Sequence, residues 1–147
     1  MRTLDLAGLT AMNVGRTTRQ RRSFAAHPST ARAARAFVTE QLSAQGATAE
    51  VVDDFALAVS EVVSNAVAHS DDAEVVVVID TSDQGWWHIE VASHSPLPHR
   101  LRDPSGWTVA PAVAASGRGL GIVRSLMDEV SVLDAGSIVA MRRRRAV

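Results

Sequence analysis

Three polar residues interrupt an apolar run at a strict spacing of four: Glu61, Asn65 and His69 in SEVVSNAVAHS, residues 60–70. At about 100° per residue on a helix, Phe55, Val59, Val62 and Ala66 form an apolar stripe. Glu61, Asn65 and His69 form a second stripe along one flank of the first, with Ser60 and Ser64 on the back. A solvated face would be centred opposite the core, whereas a polar row at the core's edge reads as the wall of a cleft. An Asn there offers a neutral oxygen to Mg²⁺, which takes a few protein oxygens together with phosphates. A Glu one turn earlier can orient or deprotonate an attacking hydroxyl. The plainer alternative is that Asn65 and His69 satisfy helix-end groups and Glu61 is merely exposed.

A second stretch bears on that choice. SGRGLGIV, residues 116–123, places Gly117, Gly119 and Gly121 at the entry to a helix. Glycine lets backbone N–H groups approach a phosphate, and a helix N-terminus supplies positive potential. Glycines that only pack a tight turn would look the same in isolation. Ahead of them, residues 96–116 hold Pro96, Pro98, Pro104, Pro111 and Gly106. That is long for an ordinary connection, and such loops are often functional lids.

The elements that would position these residues follow from periodicity and punctuation. A short strand is predicted around RRSFAAHP. A helix follows in STARAARAFVTEQLSAQG, capped by Ser29 or Thr30 and ended by Gly46. A second helix is predicted from about Val51 to His69, with Asp53 and Asp54 near its positive end. AEVVVVID and WWHIEVAS read as a hairpin turning at TSDQG. After the glycine turn and third helix, EVSVLDAGSIVAMRR reads as a second hairpin turning at DAG. The order predicts an α/β two-layer sandwich: a mostly antiparallel mixed sheet with helices on one face. Residues 1–20 read as a flexible arm and 21–147 as one domain.

The chain has 147 residues, 46% of them hydrophobic, enough for a proper core without staples. With no cysteine, disulfides and cysteine-based zinc sites are excluded. No run approaches the roughly 20 apolar residues of a membrane span, and the N-terminus has no apolar core of a signal peptide. All 15 basic residues are Arg, nine of them in residues 1–22 and 142–147. Residues 23–141 hold six Arg against fifteen acids, a net of −9. Such an acidic body argues against a nucleic-acid reader. The RRRR run, Arg142 to Arg145, reads best as a solvated end.

From about Ser23 to Met141 the chain resembles the Bergerat-fold ATP-binding superfamily, which includes the DNA gyrase B subunit, MutL and bacterial histidine kinases. It is closest in pattern to the small anti-sigma factors with serine-kinase activity. FALAVSEVVSNAVAHS looks like the N-box, GRGLGIV like the second glycine box, and GSIVAM like the closing strand, with Ser137 in the place of a Thr. The resemblance implies that Asn65 coordinates Mg²⁺ bridging the phosphates of ATP and that Glu61 is the base acting on a Ser or Thr hydroxyl. It implies His69 beside the phosphates, a phosphate cradle from Gly117, Gly119, Leu120 and Gly121, charge from Arg118, and a lid over Pro96–Ser116. It further implies a cytoplasmic regulator that binds a sigma factor and a STAS-domain anti-anti-sigma protein and phosphorylates the latter; family members often pair as homodimers, which this sequence does not decide, and composition gives no direct role for nucleic acid or membrane.

One position departs from the pattern. The family's adenine-binding Asp falls on Ser93 in VASHSPLP. A hydroxyl brings no negative charge, and losing a charged acceptor costs on the order of 1.5–3 kcal/mol, roughly tenfold to more than a hundredfold in affinity. This leaves open a second expectation, a non-catalytic family member that acts by protein contact alone. Of the aromatic residues, one of Trp86 and Trp87 must face outward on its strand, most simply as a partly covered strand residue, while Trp107 is either part of the lid or packed. His88, His94 and His99 share no metal-ligand spacing.

Overall fold

The computed structural model describes residues 18–68, 74–108 and 118–146. Its elements are β1 (Arg19–Ala25), α1 (Thr30–Ala44), α2 (Ala49–Ala68), β2 (Glu74–Asp80), β3 (Trp86–Ser93), α3 (Arg118–Leu126), β4 (Glu129–Leu133) and β5 (Ile138–Arg144). Short 3₁₀ turns lie at His99–Leu101, Pro104–Gly106 and Asp134–Gly136. The five strands form one sheet in the order β1-β2-β3-β5-β4. Every pairing in it is antiparallel, so the expected parallel component of a mixed sheet is not seen among the described residues. β1 begins at Arg19, inside the predicted arm.

Alternation along the strands decides which face carries the core. Phe24 pairs with Val75, Val77 with Val91 and Val139 in turn, and Ile79 with Ile89 and Met141. These residues share one face, and apart from the partly covered Phe24 all are buried. All three helices pack there. From α1, Phe37 meets Phe24 edge-on at 6.3 Å. From α2 and α3, Phe55, Val59, Leu120 and Val123 join the same cluster. Trp87 lies on this inner face and is buried; Trp86 faces out, between the guanidinium groups of Arg142 and Arg144 at 4.5 and 4.7 Å.

The helix ends follow their local chemistry. Gly46, at φ +88°, closes α1 in the left-handed conformation that side chains resist. Ala47 N–H then donates to Leu42 O at 3.0 Å. α2 starts two residues earlier than the periodicity suggests, because Thr48 Oγ1 accepts from Val51 N–H at 3.3 Å and caps it.

Two expectations are overturned. Ser60, placed on the polar back of α2, is buried, and Arg35 of α1 donates to its hydroxyl at 3.2 Å. α2 is therefore covered by α1 and α3 as well as by the sheet, and Asp53, Leu57 and Ser64 mark its open side. The RRRR run is not a solvated end. Arg142, Arg143 and Arg144 extend β5. Arg143 bonds Asp54 of α2 and Leu126 O of α3. Arg145 bonds Thr81 O and Trp86 O and lies over the Trp87 ring at 3.8 Å. No helix among the described residues is long and apolar enough to cross a membrane.

Candidate functional site

The cleft sits where the middle of α2, the start of α3 and the ends of β3 and β5 converge. Glu61 and Asn65, one turn apart on α2, are both half-buried. Glu61 lies against Gly119, the second residue of α3: a Cβ at that position would collide with Glu61 Oε1. Glycine there leaves the Glu61 carboxylate in this position, which any side chain would force it to leave. The close approach brings the acid of one motif onto the backbone of the other. Asn65 lines the cleft together with Leu120, which is 2% exposed, and with Ser93 and Ser137. Four residues far apart in sequence thus share one small space.

Alternation explains Ser93. It ends the inner-facing row Trp87, Ile89, Val91, Ser93 and so points to the helices. Its N–H donates to Ser137 O at 2.9 Å, and its hydroxyl accepts from Ser95 N–H at 3.0 Å. One of the hydroxyl's two acceptor positions is thereby engaged within its own turn. Ser137 Oγ donates within its turn as well, toward Asp134 O at 2.9 Å or Asp134 Oδ2 at 3.0 Å. That turn holds three successive left-handed residues, Asp134 and Ala135 at φ 53° and Gly136 at φ +96°. For a non-glycine residue this costs on the order of 1–2 kcal/mol.

The predicted lid is only partly lid-like. Over residues 96–108 it packs into the domain, with Leu97 and Trp107 both in the core. Trp107 Nε1 donates to Leu101 O at 2.8 Å, and Arg124 of α3 donates to Trp107 O at 3.1 Å. Asp103 caps the second 3₁₀ turn; the hydroxyl and then the N–H of Ser105 hold its carboxyl below the ordinary range. The rest of the lid, with His69 and Gly117, lies outside the described residues, as does the side chain of Arg118. Gly121, expected in the phosphate cradle, is buried in α3 and borders a different concavity, beside Trp107 and Arg124. His88 pairs with Glu90 at 2.8 Å, and no group of three or more metal-ligating side chains occurs among the described residues. Sequence reasoning missed Leu97, Arg102 and Gly136. The only signal for them was a lone large apolar residue between two prolines, and a glycine just before Ser137.

Residues 24–143 match the family of the histidine kinase-like ATPase domain, and the chain belongs to that family. Among solved structures, it is similar to the RsbU and RsbW domains of Rv1364c from Mycobacterium tuberculosis, with a TM-score of 0.64 and 22% identity over 91% of this chain. At that identity the likeness is one of fold, and this chain covers 35% of that solved chain. No curated protein sequence matches it.

The family implies ATP with Mg²⁺, and the two ends of the cleft fit that group differently. At the phosphate end, Glu61, Asn65 and the first turn of α3 converge, a donor and acceptor set suited to a metal-bound phosphate. Toward Ser93, Leu97 and Ser137, the cavity that Asn65 also lines is ≈ 20 Å³, room for about one water and not for a purine. No carboxylate lines it among the described residues.

Proposed function

We propose that this chain is a cytoplasmic regulator of the anti-sigma type, which holds a sigma factor and a STAS-domain anti-anti-sigma protein and phosphorylates a Ser or Thr of the latter. The observation that carries the catalytic part is Glu61 seated against Gly119, with Asn65 one turn further along α2. Bound ATP with Mg²⁺ would supply the phosphoryl group. The chain's own part is an acid positioned to take the proton of an incoming hydroxyl, an amide oxygen for the metal, and the N-terminal turn of α3 for negative charge. His69, Gly117 and Arg118 belong to the same assignment. Family membership over residues 24–143 and the fold shared with an RsbW domain support it. The acidic body suits a basic partner surface.

A second reading is favoured by one observation, the closed base end bordered by Ser93. In it the domain sequesters partners without turnover. The test is transfer of radiolabel from γ-labelled ATP to the STAS-domain proteins encoded in the source genome, with pull-down of those proteins and of sigma factors in parallel. Label that is lost in Glu61→Gln and in Asn65→Ala supports the kinase. Binding without label supports the second reading, and binding of neither partner sinks both.

A further inference from the structure

We infer that Leu97 is the residue that decides what the cleft admits: clasped by Arg102 and Gly136, it fills the base end and excludes a purine, while the phosphate end stays assembled. The inference rests on reading the cleft as a nucleotide site.

The clasp is built from three separate parts of the chain. Leu97 is 7% exposed and borders the cleft beside Ser93 and Ser95. Its N–H donates to Gly136 O at 2.9 Å, and its carbonyl accepts from Arg102 Nε at 2.9 Å. The backbone of Leu97 is thus tied on one side to the β4–β5 turn and on the other to its own segment. Gly136 makes the closure possible. A Cβ there would stand 2.8 Å from Arg102 Nε, 3.0 Å from Leu97 O and 3.1 Å from Leu97 N, too close for any side chain. The left-handed Asp134 and Ala135 lead the chain into that glycine.

Nothing in the segment favours swinging out. Pro96 and Pro98 flank Leu97 and fix their own φ angles near −65°. Downstream, the indole of Trp107 and its carbonyl tie the segment to Leu101 and to Arg124 of α3. Leu97 belongs to the same buried apolar core as Val62, Ala66, Leu120 and Val139, and with them borders the cleft. Admitting a base means removing the Leu97 side chain from that core and breaking the bonds to Gly136 and Arg102. The same closure explains how Ser93 is tolerated: a space that holds about one water needs no carboxylate to read an amino group.

Calorimetric titration with two half-ligands separates the ends. Adenosine probes the base end alone, and Mg²⁺ with tripolyphosphate probes the phosphate end alone. For the native chain we expect no adenosine binding at millimolar concentration, and Mg·ATP no tighter than Mg·tripolyphosphate. In Leu97→Ala, Mg·ATP should tighten by about tenfold or more, adenosine should become measurable, and tripolyphosphate should not change. Arg102→Ala, which loosens the clasp and leaves Leu97 to the core, should shift in the same direction and guards against loss of folding in the first variant. The inference is overturned if the native chain already binds adenosine, or if neither variant gains it. Absence of tripolyphosphate binding in every form would instead overturn the phosphate-site reading. A gain of adenosine in the variants would still support Leu97 as the closure.

Discussion

Arg143→Ala is expected to destabilise the fold far more than Arg144→Ala, its neighbour in the same run. The Arg143 side chain is 16% exposed and bonds the Asp54 carboxylate, itself 25% exposed. It also donates to Leu126 O at 3.1 Å, one of the last carbonyls of α3, which has no helical partner of its own. Glu50 and Asp128, at 3.7 and 3.8 Å, are more open to solvent and add little. A charge-assisted bond is worth about 1.5–3 kcal/mol, and removing one partner of a fully buried pair costs about 3–5. Because this pair is not fully buried, the loss should be about 2–4 kcal/mol. For a chain of this size that lowers Tm by roughly 6–12 °C. Arg144 is exposed, and its N–H bond to Asp128 belongs to the backbone and survives truncation. Only its contact with the outer Trp86 is lost, about 0.5–1 kcal/mol. Urea denaturation of both variants measures the difference. Equal losses of less than about 1 kcal/mol would show that the cluster around Arg143 is too solvated to matter. The bonds of Arg143 to Asp54 and Leu126 would then not be what ties α2 to α3, the helices carrying Glu61 and Gly119.

Three shorter expectations bear on the cleft and the sheet. Gly119→Ala should leave stability within about 1 kcal/mol of native, since helix propensity gains what turning the Glu61 carboxylate costs. It should nonetheless lower any phosphoryl transfer by about a hundredfold or more as the base is displaced; native-level transfer would remove Glu61 from that role. Ser93→Asp alone should not tighten ATP, because Leu97 still fills the base end, whereas in the Leu97→Ala background it should add about tenfold; a gain from Ser93→Asp alone would show that the base end is open in solution. Asp80 is held below its ordinary pKa of 3.8 by the Ser82 hydroxyl at 2.6 Å and then by Ser82 N–H at 2.9 Å. Such a carboxyl contributes stability above its unfolded pKa that is lost as pH falls through the folded value. Ser82→Ala should therefore be destabilising at neutral pH, and the difference from native should shrink as acid protonates the carboxyl, as followed by urea denaturation; a difference that does not shrink with falling pH would have another origin.

Much of the architecture was legible because it is local. Alternation in WWHIEVAS puts one Trp inward and one outward, and turn residues place both hairpins. Gly46 ends α1 for a reason its own φ states. Ser60 and the RRRR run were misread because their environment is set by chain far from them in sequence: Arg35 from another helix, and Asp54 and Leu126 from two more. An Arg that alternates onto the inner face of a sheet looks, in sequence, like one in a loose tail. Only the strand register, Trp87 opposite Arg143, tells them apart.

The same distinction runs through the cleft. Its phosphate end is made of short motifs, a four-residue row on α2 and glycines opening α3, whose spacing already states the geometry. Its base end is made by the meeting of residues 93–102 with the 134–137 turn, and no spacing in either stretch announces the other. A reading by motif therefore finds the half of the site that resembles a kinase. It passes over the half in which Leu97 occupies the cleft. Ser93 was visible as a substitution, yet its consequence depends on Leu97: with the side chain in place the missing carboxylate has nothing to bind, and with it withdrawn the missing carboxylate limits affinity. The two residues should accordingly couple non-additively in a double-mutant cycle. Additive effects on ATP affinity would separate the substitution from the closure.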